Sequence, residues 1–348
     1  LVSVDVPGFE PLVLPAVVLR SDEEAVTVEA VLEVAAVHEA LTVMGDAPRD
    51  SIEASAIREM GARDVGEALT AASGVWQLRK GAIANEVVLR GLQSRDLNVL
   101  IDGDRTYDAC PNHLAPPAFH VDFAEVERVE VAKGPFDVRH QGSLGGLVNV
   151  VTRTPQRGWH ANAGLALGST GYANPSVTSS FGGAGWSVLG GGSYRRAESY
   201  RDGSGTRVTE LANYTVAARD SDAFRVASAW GRGVLQPAGA GSLQVAYTRQ
   251  QADHVLYPYL QMDALWDDTD RVSARYELTR DGRLQALRAQ AYYTRVDHWM
   301  TDEYRVTSAG RPRGYSMGTQ ADTRTVGGRL EVTAGTLSRS QSSVRRCS

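Results

Sequence analysis

The sequence predicts a mainly β protein: an α+β domain followed by the first strands of an antiparallel transmembrane β-barrel, with a partial β-sandwich in front. Three observations carry this. From Trp159 on, apolar residues alternate with polar ones in segments of about ten residues, the pattern of a barrel wall with one face toward lipid. Between Asn98 and Arg153, short β-branched runs are separated by glycine turns. No run of eighteen apolar residues occurs, which excludes a membrane-spanning helix but leaves spanning strands open.

The front of the chain holds three β-rich runs, Val2–Phe9, Leu12–Leu19 and Val26–Val34, divided by Pro7-Gly8 and by Ser21-Asp-Glu-Glu24. The alternation in the third run argues a half-buried antiparallel sheet. Further on, Arg63–Ala72 spaces Val65, Leu69 and Ala72 on one helical face, with Asp64 at a capping position and Gly74 as a stop. Asn98-Val-Leu-Ile-Asp-Gly103 is an apolar strand running into a turn at Asp102-Gly103. Val126–Gly134 supplies a second strand through Val126, Val129 and Val131. Gly142, Gly145 and Gly146 then let the backbone pass close to its neighbours before Leu147–Val151 resumes.

The wall segments are read from parity. Leu243, Val245 and Tyr247 form one face of Ser242–Thr248, and Val272, Ala274, Tyr276 and Leu278 one face of Arg271–Thr279. Leu287, Ala289, Ala291 and Tyr293 oppose Arg288, Gln290 and Thr294, and Val326, Leu330 and Val332 oppose Arg329 and Glu331. Trp186, Tyr194, Trp230, Tyr292 and Trp299, near segment ends, are expected to form an interfacial girdle.

Charge is close to balanced, 36 Lys+Arg against 41 Asp+Glu for a net charge of -5, so nothing points to nucleic acid. Two cysteines, Cys110 and Cys347, are too few for a disulfide framework. Gly142-Ser-Leu-Gly-Gly146 lacks the glycine spacing of a nucleotide-binding turn.

Five blocks in order, Val88-Leu-Arg90-Gly91, Leu100-Ile-Asp102-Gly103, Glu127-Arg-Val-Glu-Val131, Lys133-Gly134-Pro135 and Gly145-Gly146-Leu-Val-Asn-Val150, resemble the plug domain of TonB-dependent outer-membrane receptors. The resemblance implies a plug over 51–156, a partial barrel over 157–335 and an irregular tail over 336–348. It implies residence in the outer membrane of a Gram-negative bacterium, with lipid around the barrel, and import of a small nutrient or metal without enzymatic activity. Glu39-Ala40-Leu41-Thr42-Val43-Met44-Gly45, within a linker at 38–50, looks like a TonB box, the extended segment on which an inner-membrane energy transducer of TonB type pulls by adding a strand. Residues 1–37 resemble part of a carboxypeptidase-regulatory-like module. About eight wall segments fit between 159 and 335, whereas barrels with a plugged lumen use about twenty-two strands. The chain is therefore expected to be a fragment at both ends.

Within this framework Arg90, Asp102, Arg128 and Glu130 are assigned to interior ion pairs or to contacts with a polar lumen. The loop Tyr107–Pro117 is similar to that of TonB-dependent copper receptors in Cys110 and Pro116-Pro117, with Leu114 where those have methionine. Leu256–Asp263 and Val296–Asp302 resemble the barrel segments of that subgroup. The candidate metal set is Cys110, His113, Met262 and Met300, since soft sulfur ligands select Cu(I). Met300 and His298 share parity with Gln290 and Thr294, on the lumen face. A ferric chelate or other small nutrient is the alternative cargo. A periplasmic metalloenzyme built on Cys110, His113 and His120 is the alternative of another class, although that spacing fits no familiar zinc pattern.

Overall fold

The computed structural model describes residues 2–4, 12–14, 31 and 49–335, apart from 94, 95, 111, 112, 136, 138, 141, 212 and 310–313. The chain divides into two compact units, Leu1–Asp46 and Ala47–Ser348. In the first, β1 (Val2–Val4) pairs antiparallel with β2 (Leu12–Leu14). The third expected run, the segment 39–45 and the tail 336–348 lie outside the described residues, apart from an exposed Val31.

The second unit begins with the plug. Its main sheet has the order β3 (Arg49–Glu53), β9 (Val126–Lys133), β10 (Gly146–Thr152), β7 (Leu97–Ile101) and β8 (Asp104–Arg105). Beside it lies a smaller sheet of β4 (Val75–Leu78), β5 (Glu86–Leu89) and β6 (Leu92–Gln93). The helices α1 (Ala54–Glu59) and α2 (Val65–Ala68) pack Ile57, Val65, Ala68 and Leu69 into one core with Val126, Val129, Val131, Val148 and Val150. Asp64 caps α2 by accepting from the Glu67 amide at 2.7 Å, and Gly74 turns the chain with φ +75°.

Gly145 and Gly146 sit where the chain leaves no room for a side chain. A Cβ on Gly146, whose φ is +143°, would lie 2.2 Å from the Ala132 carbonyl oxygen, and one on Gly145 2.6 Å from Leu97. Gly134 donates its amide to the Gly145 carbonyl at 2.9 Å, closing β9 onto the approach to β10. Lys133 reaches Asp50 and Ser73, while Pro135 follows in the turn.

After the plug, eight strands form an antiparallel meander: β11 (Gly158–Leu167), β12 (Ala173–Gly182), β13 (Trp186–Glu198), β14 (Asp222–Leu235), β15 (Ser242–Val255), β16 (Asp263–Thr279), β17 (Leu284–Thr301) and β18 (Gly318–Ala334). Residues 183–185, 236–241 and 280–283 connect the strands at one end, and 168–172, 199–221, 256–262 and 302–317 at the other, where 199–221 and 302–317 are the long loops. Short turns face the periplasm and long loops the outside in such walls, which orients the molecule. Apolar residues point away from the plug: Val326 is 79% exposed, Leu165 66% and Tyr247 48%. The opposite face is polar and meets the plug.

That junction is built from charge-assisted bonds. Asp102, in a left-handed turn with Gly103, accepts from the Thr152 amide and hydroxyl and pairs with Arg232 of β14 at 2.7 Å. The Arg232 guanidinium and the Thr152 bonds outweigh burial and hold the Asp102 carboxyl below its ordinary range. Arg271 of β16 makes two bonds to Glu125, and Arg195 of β13 pairs with Asp122 at 2.9 Å with both side chains fully buried. Arg128 and Arg49 both pair with Glu130 inside the plug.

Two expectations are corrected. Arg90 makes no interior pair: it is exposed, and with Gly91 it occupies the two-residue turn between β5 and β6, both at positive φ, the geometry a tight hairpin needs. Trp230 and Tyr292 do not belong to a girdle. Trp230 shares parity with buried Phe224, Val226 and Arg232, and its ring covers the opposed Gly191, while Tyr292 covers Gly327. Trp186, Tyr194 and Trp299 do face outward, Trp299 stacked on Trp266 at 5.5 Å.

Asp104 gives the plug–wall junction a pH dependence. It is 8% exposed, accepts from Gln290 of β17, and has its carboxyl pushed up to about 7, first by burial and then by the charge of Asp102. A carboxyl with a raised folded value is neutral in the fold, so its penalty grows as pH rises from about 4 to about 7, reaching on the order of 4 kcal/mol. Asp104→Asn is expected to raise the thermal midpoint in detergent at pH 8 and leave it unchanged at pH 4. Parallel midpoint curves for the two proteins across that range would refute this.

Candidate functional site

At the outer end of the junction, a plug loop meets the start of β16 and the end of β17. The loop leaves β8, tightens at Cys110, where the His113 amide donates to the Cys110 carbonyl at 2.9 Å, and passes through Pro116 into a 3-10 turn over Pro117–His120. The Tyr257 hydroxyl, from the β15–β16 loop, donates to the Leu114 carbonyl at 2.6 Å and ties the plug loop to the wall. Cys110 is 5% exposed and shares an apolar cluster with Leu114, Ala115, Phe119, Tyr257, Ala264 and Met300, with Met262 half-buried against it.

His298 completes this surface. It stands on the inward face of β17 two residues from Met300, is 2% exposed, and the Cys110 thiol lies within interaction range of its ring. Its Nδ1 is bonded to Asp267 of β16 at 2.7 Å, and its buried Nε2 has no hydrogen-bond partner. His120, from the plug, is fully buried: Nε2 lies 3.1 Å from the Ala115 carbonyl and Nδ1 2.8 Å from the Thr269 hydroxyl. Burial holds His120 below its ordinary value, and so neutral.

The candidate residues thus divide. Cys110, Met262 and Met300 belong to one packed apolar cluster. His113 does not contribute its ring there: its backbone takes φ +54° and its Nδ1 pairs with Asp108 at 2.5 Å. The nitrogen that faces Cys110 belongs to His298, 188 positions later, and lumen parity was the sequence signal for it. The trio Cys110, His113 and His120 likewise forms no constellation, since each histidine is held by other partners. Among the described residues, no three His, Cys, Asp or Glu side chains converge as a ligand set. The donors that do gather are one thiol, one imidazole and thioethers, a soft set suited to copper(I).

A buried clamp that no sequence pattern announces joins three loops and holds Tyr257, which in turn is bonded to the Cys110 loop at Leu114. Arg305 of the β17–β18 loop makes two bonds to Asp263, at 2.8 and 2.9 Å, and lies 3.8 Å over the ring of Tyr214 from the β13–β14 loop. The Tyr214 hydroxyl donates to Asp263 at 2.5 Å, and Arg305 also donates to the Tyr257 carbonyl. Tyr214 and Asp263 are fully buried and Arg305 is 3% exposed. Charges on loops usually solvate singly, so only their meeting in space reveals the clamp.

Residues 44–147 match the TonB-dependent receptor plug domain. Over 110 residues the chain is 30% identical to an iron-regulated outer membrane virulence protein of Vibrio cholerae, a match covering 30% of this chain and 17% of that protein. Among solved structures, it is similar to the copper transporter OprC, with TM-score 0.73 and 22% identity over 82% of this chain and 43% of that one. It is also similar to a mutant of the ferric enterobactin receptor PfeA of Pseudomonas aeruginosa, with TM-score 0.61 and 16% identity over 83% and 46%. At these identities the structural likeness shows the fold, and the chain spans less than half of either receptor.

Proposed function

We propose, from the premise that this chain carries the plug domain of a TonB-dependent outer-membrane receptor and strands of its barrel, that it imports copper across the outer membrane of a Gram-negative bacterium. The observation that carries the reading is that Cys110 on the plug is buried beside His298 and shares one packed cluster with Met300 on the wall. A thiolate, an imidazole nitrogen and a thioether meet the preference of Cu(I). Met262, half-buried against the same cluster, is the residue that would hand the ion in. Leu114 stands at the position where the resemblance expects a further thioether, so the ion is held by fewer sulfurs and is released more readily.

In this reading the ligand bridges plug and wall, and the transducer, pulling on residues 39–45, parts Cys110 from His298 and Met300. The polar bonds of the junction then exchange partners with water at small net loss, which lets the plug move without melting its apolar core.

The test is growth of a strain lacking its own uptake route, carrying the intact gene, on limiting copper and separately on limiting iron. Cys110→Ser, or deletion of 39–45, is expected to abolish growth on limiting copper and leave growth on limiting iron unchanged. A Cys110→Ser strain that grows like wild type under copper limitation refutes the copper reading, and an unaffected deletion strain refutes the coupling.

A further inference from the structure

Asp267 is 1% exposed, yet only one of its carboxylate oxygens has a hydrogen-bond partner: Oδ2 meets His298 Nδ1 at 2.7 Å, while Oδ1 lies 3.5 Å from the ring of His120 and bonds to nothing. A buried carboxylate with an unsatisfied oxygen costs stability, so packing gives no reason for it. The backbone nonetheless takes trouble to place it. On β16, Ala264 points inward opposite Met300, and strict alternation would send residue 267 outward. A bulge between Ala264 and Trp266 inserts one residue and turns Asp267 inward, directly opposite His298 in register. On the outer face, the stacked rings of Trp266 and Trp299, one residue before Asp267 and one after His298, hold the two strand ends together.

We infer that Asp267 is a positioning residue: by accepting from Nδ1–H it fixes the tautomer and rotation of His298 so that Nε2 is presented to an ion held by Cys110 and Met300. The inference rests on the copper reading above and deepens it. A carboxylate behind a ligating imidazole raises its donor strength, and loss of such a partner costs 10- to 100-fold in metal affinity.

The experiment uses the full chain in detergent micelles, with Cu(I) as probe, reading affinity by chelator competition and the donor atoms by X-ray absorption. Wild type is expected to show sulfur donors and one nitrogen. Asp267→Ala is expected to bind about 10- to 100-fold more weakly and to lose the nitrogen while keeping the sulfurs. Asp267→Asn, whose carbonyl still accepts from Nδ1–H, is expected to keep the nitrogen with a loss under about tenfold. If the Ala variant fails to fold, Asp267→Thr, too short to reach Nδ1, takes its place. A variant without the carboxylate that retains nitrogen and affinity overturns the inference. So does equal loss of sulfur and nitrogen in both the Ala and Asn variants, which marks a structural role. Absence of Cu(I) binding by wild type overturns the copper reading itself, and this inference with it.

Discussion

Arg305→Met is expected to expose the buried Cys110 cluster to water while leaving the strands in place. The methionine keeps most of the volume of the side chain but leaves the Asp263 carboxylate, fully buried, without a countercharge, held by the Tyr214 hydroxyl and the Tyr257 amide. Removing one member of a buried pair costs about 3–5 kcal/mol, and here the loss falls on the loops that hold Tyr257 against the plug loop of Cys110. The loops carrying Tyr214 and Arg305 are also joined by backbone bonds, Thr215 to Tyr304 at 2.7 Å and Val306 to Asn213 at 2.8 Å, so these two loops give way together. Maleimide labelling of Cys110, in a Cys347→Ser background, should accelerate at least tenfold in the variant. An unchanged labelling rate would mean that the clamp does not govern access.

Gly146→Ala is expected to be the most damaging single methyl in the plug. The new Cβ would lie 2.2 Å from the Ala132 carbonyl oxygen and 2.6 Å from Leu89, at a backbone φ of +143° that alanine rarely adopts. The conformational cost alone is about 1–3 kcal/mol, and the collision with a neighbouring strand's backbone adds to it because the carbonyl cannot swing away without losing its ladder bonds. Hydrogen exchange over β9 and β10 should quicken sharply, and protease should cut within 126–152. Normal protection of those amides would show that the sheet accommodates the methyl.

Much of this architecture was legible before any coordinates. The valines at 126, 129 and 131 marked a plug strand because nothing but core demands that spacing, and the parity of Leu243, Val245 and Tyr247 fixed the outward face of a wall strand. The capping of the short helix by Asp64 was readable for a similar local reason. What the sequence could not yield were contacts set by absent side chains or by register. Trp230 and Tyr292 turn inward over glycines on the facing strand, and no local pattern announces an opposed Gly191 or Gly327. His113, three residues from Cys110, was the obvious nitrogen ligand by proximity in sequence, but its left-handed turn commits the ring to Asp108. His298 takes that place because parity directs it inward at the outer end of β17, where the plug loop carrying Cys110 arrives.

Equilibrium competition for Cu(I) between the full chain and a chromophoric chelator tests the account most directly. Wild type should take one Cu(I) per chain, with Cys110→Ser and His298→Ala each weakening it by at least 100-fold and His113→Ala leaving it unchanged. Binding that survives Cys110→Ser, or that is lost with His113→Ala while His298→Ala is silent, would contradict the site described here.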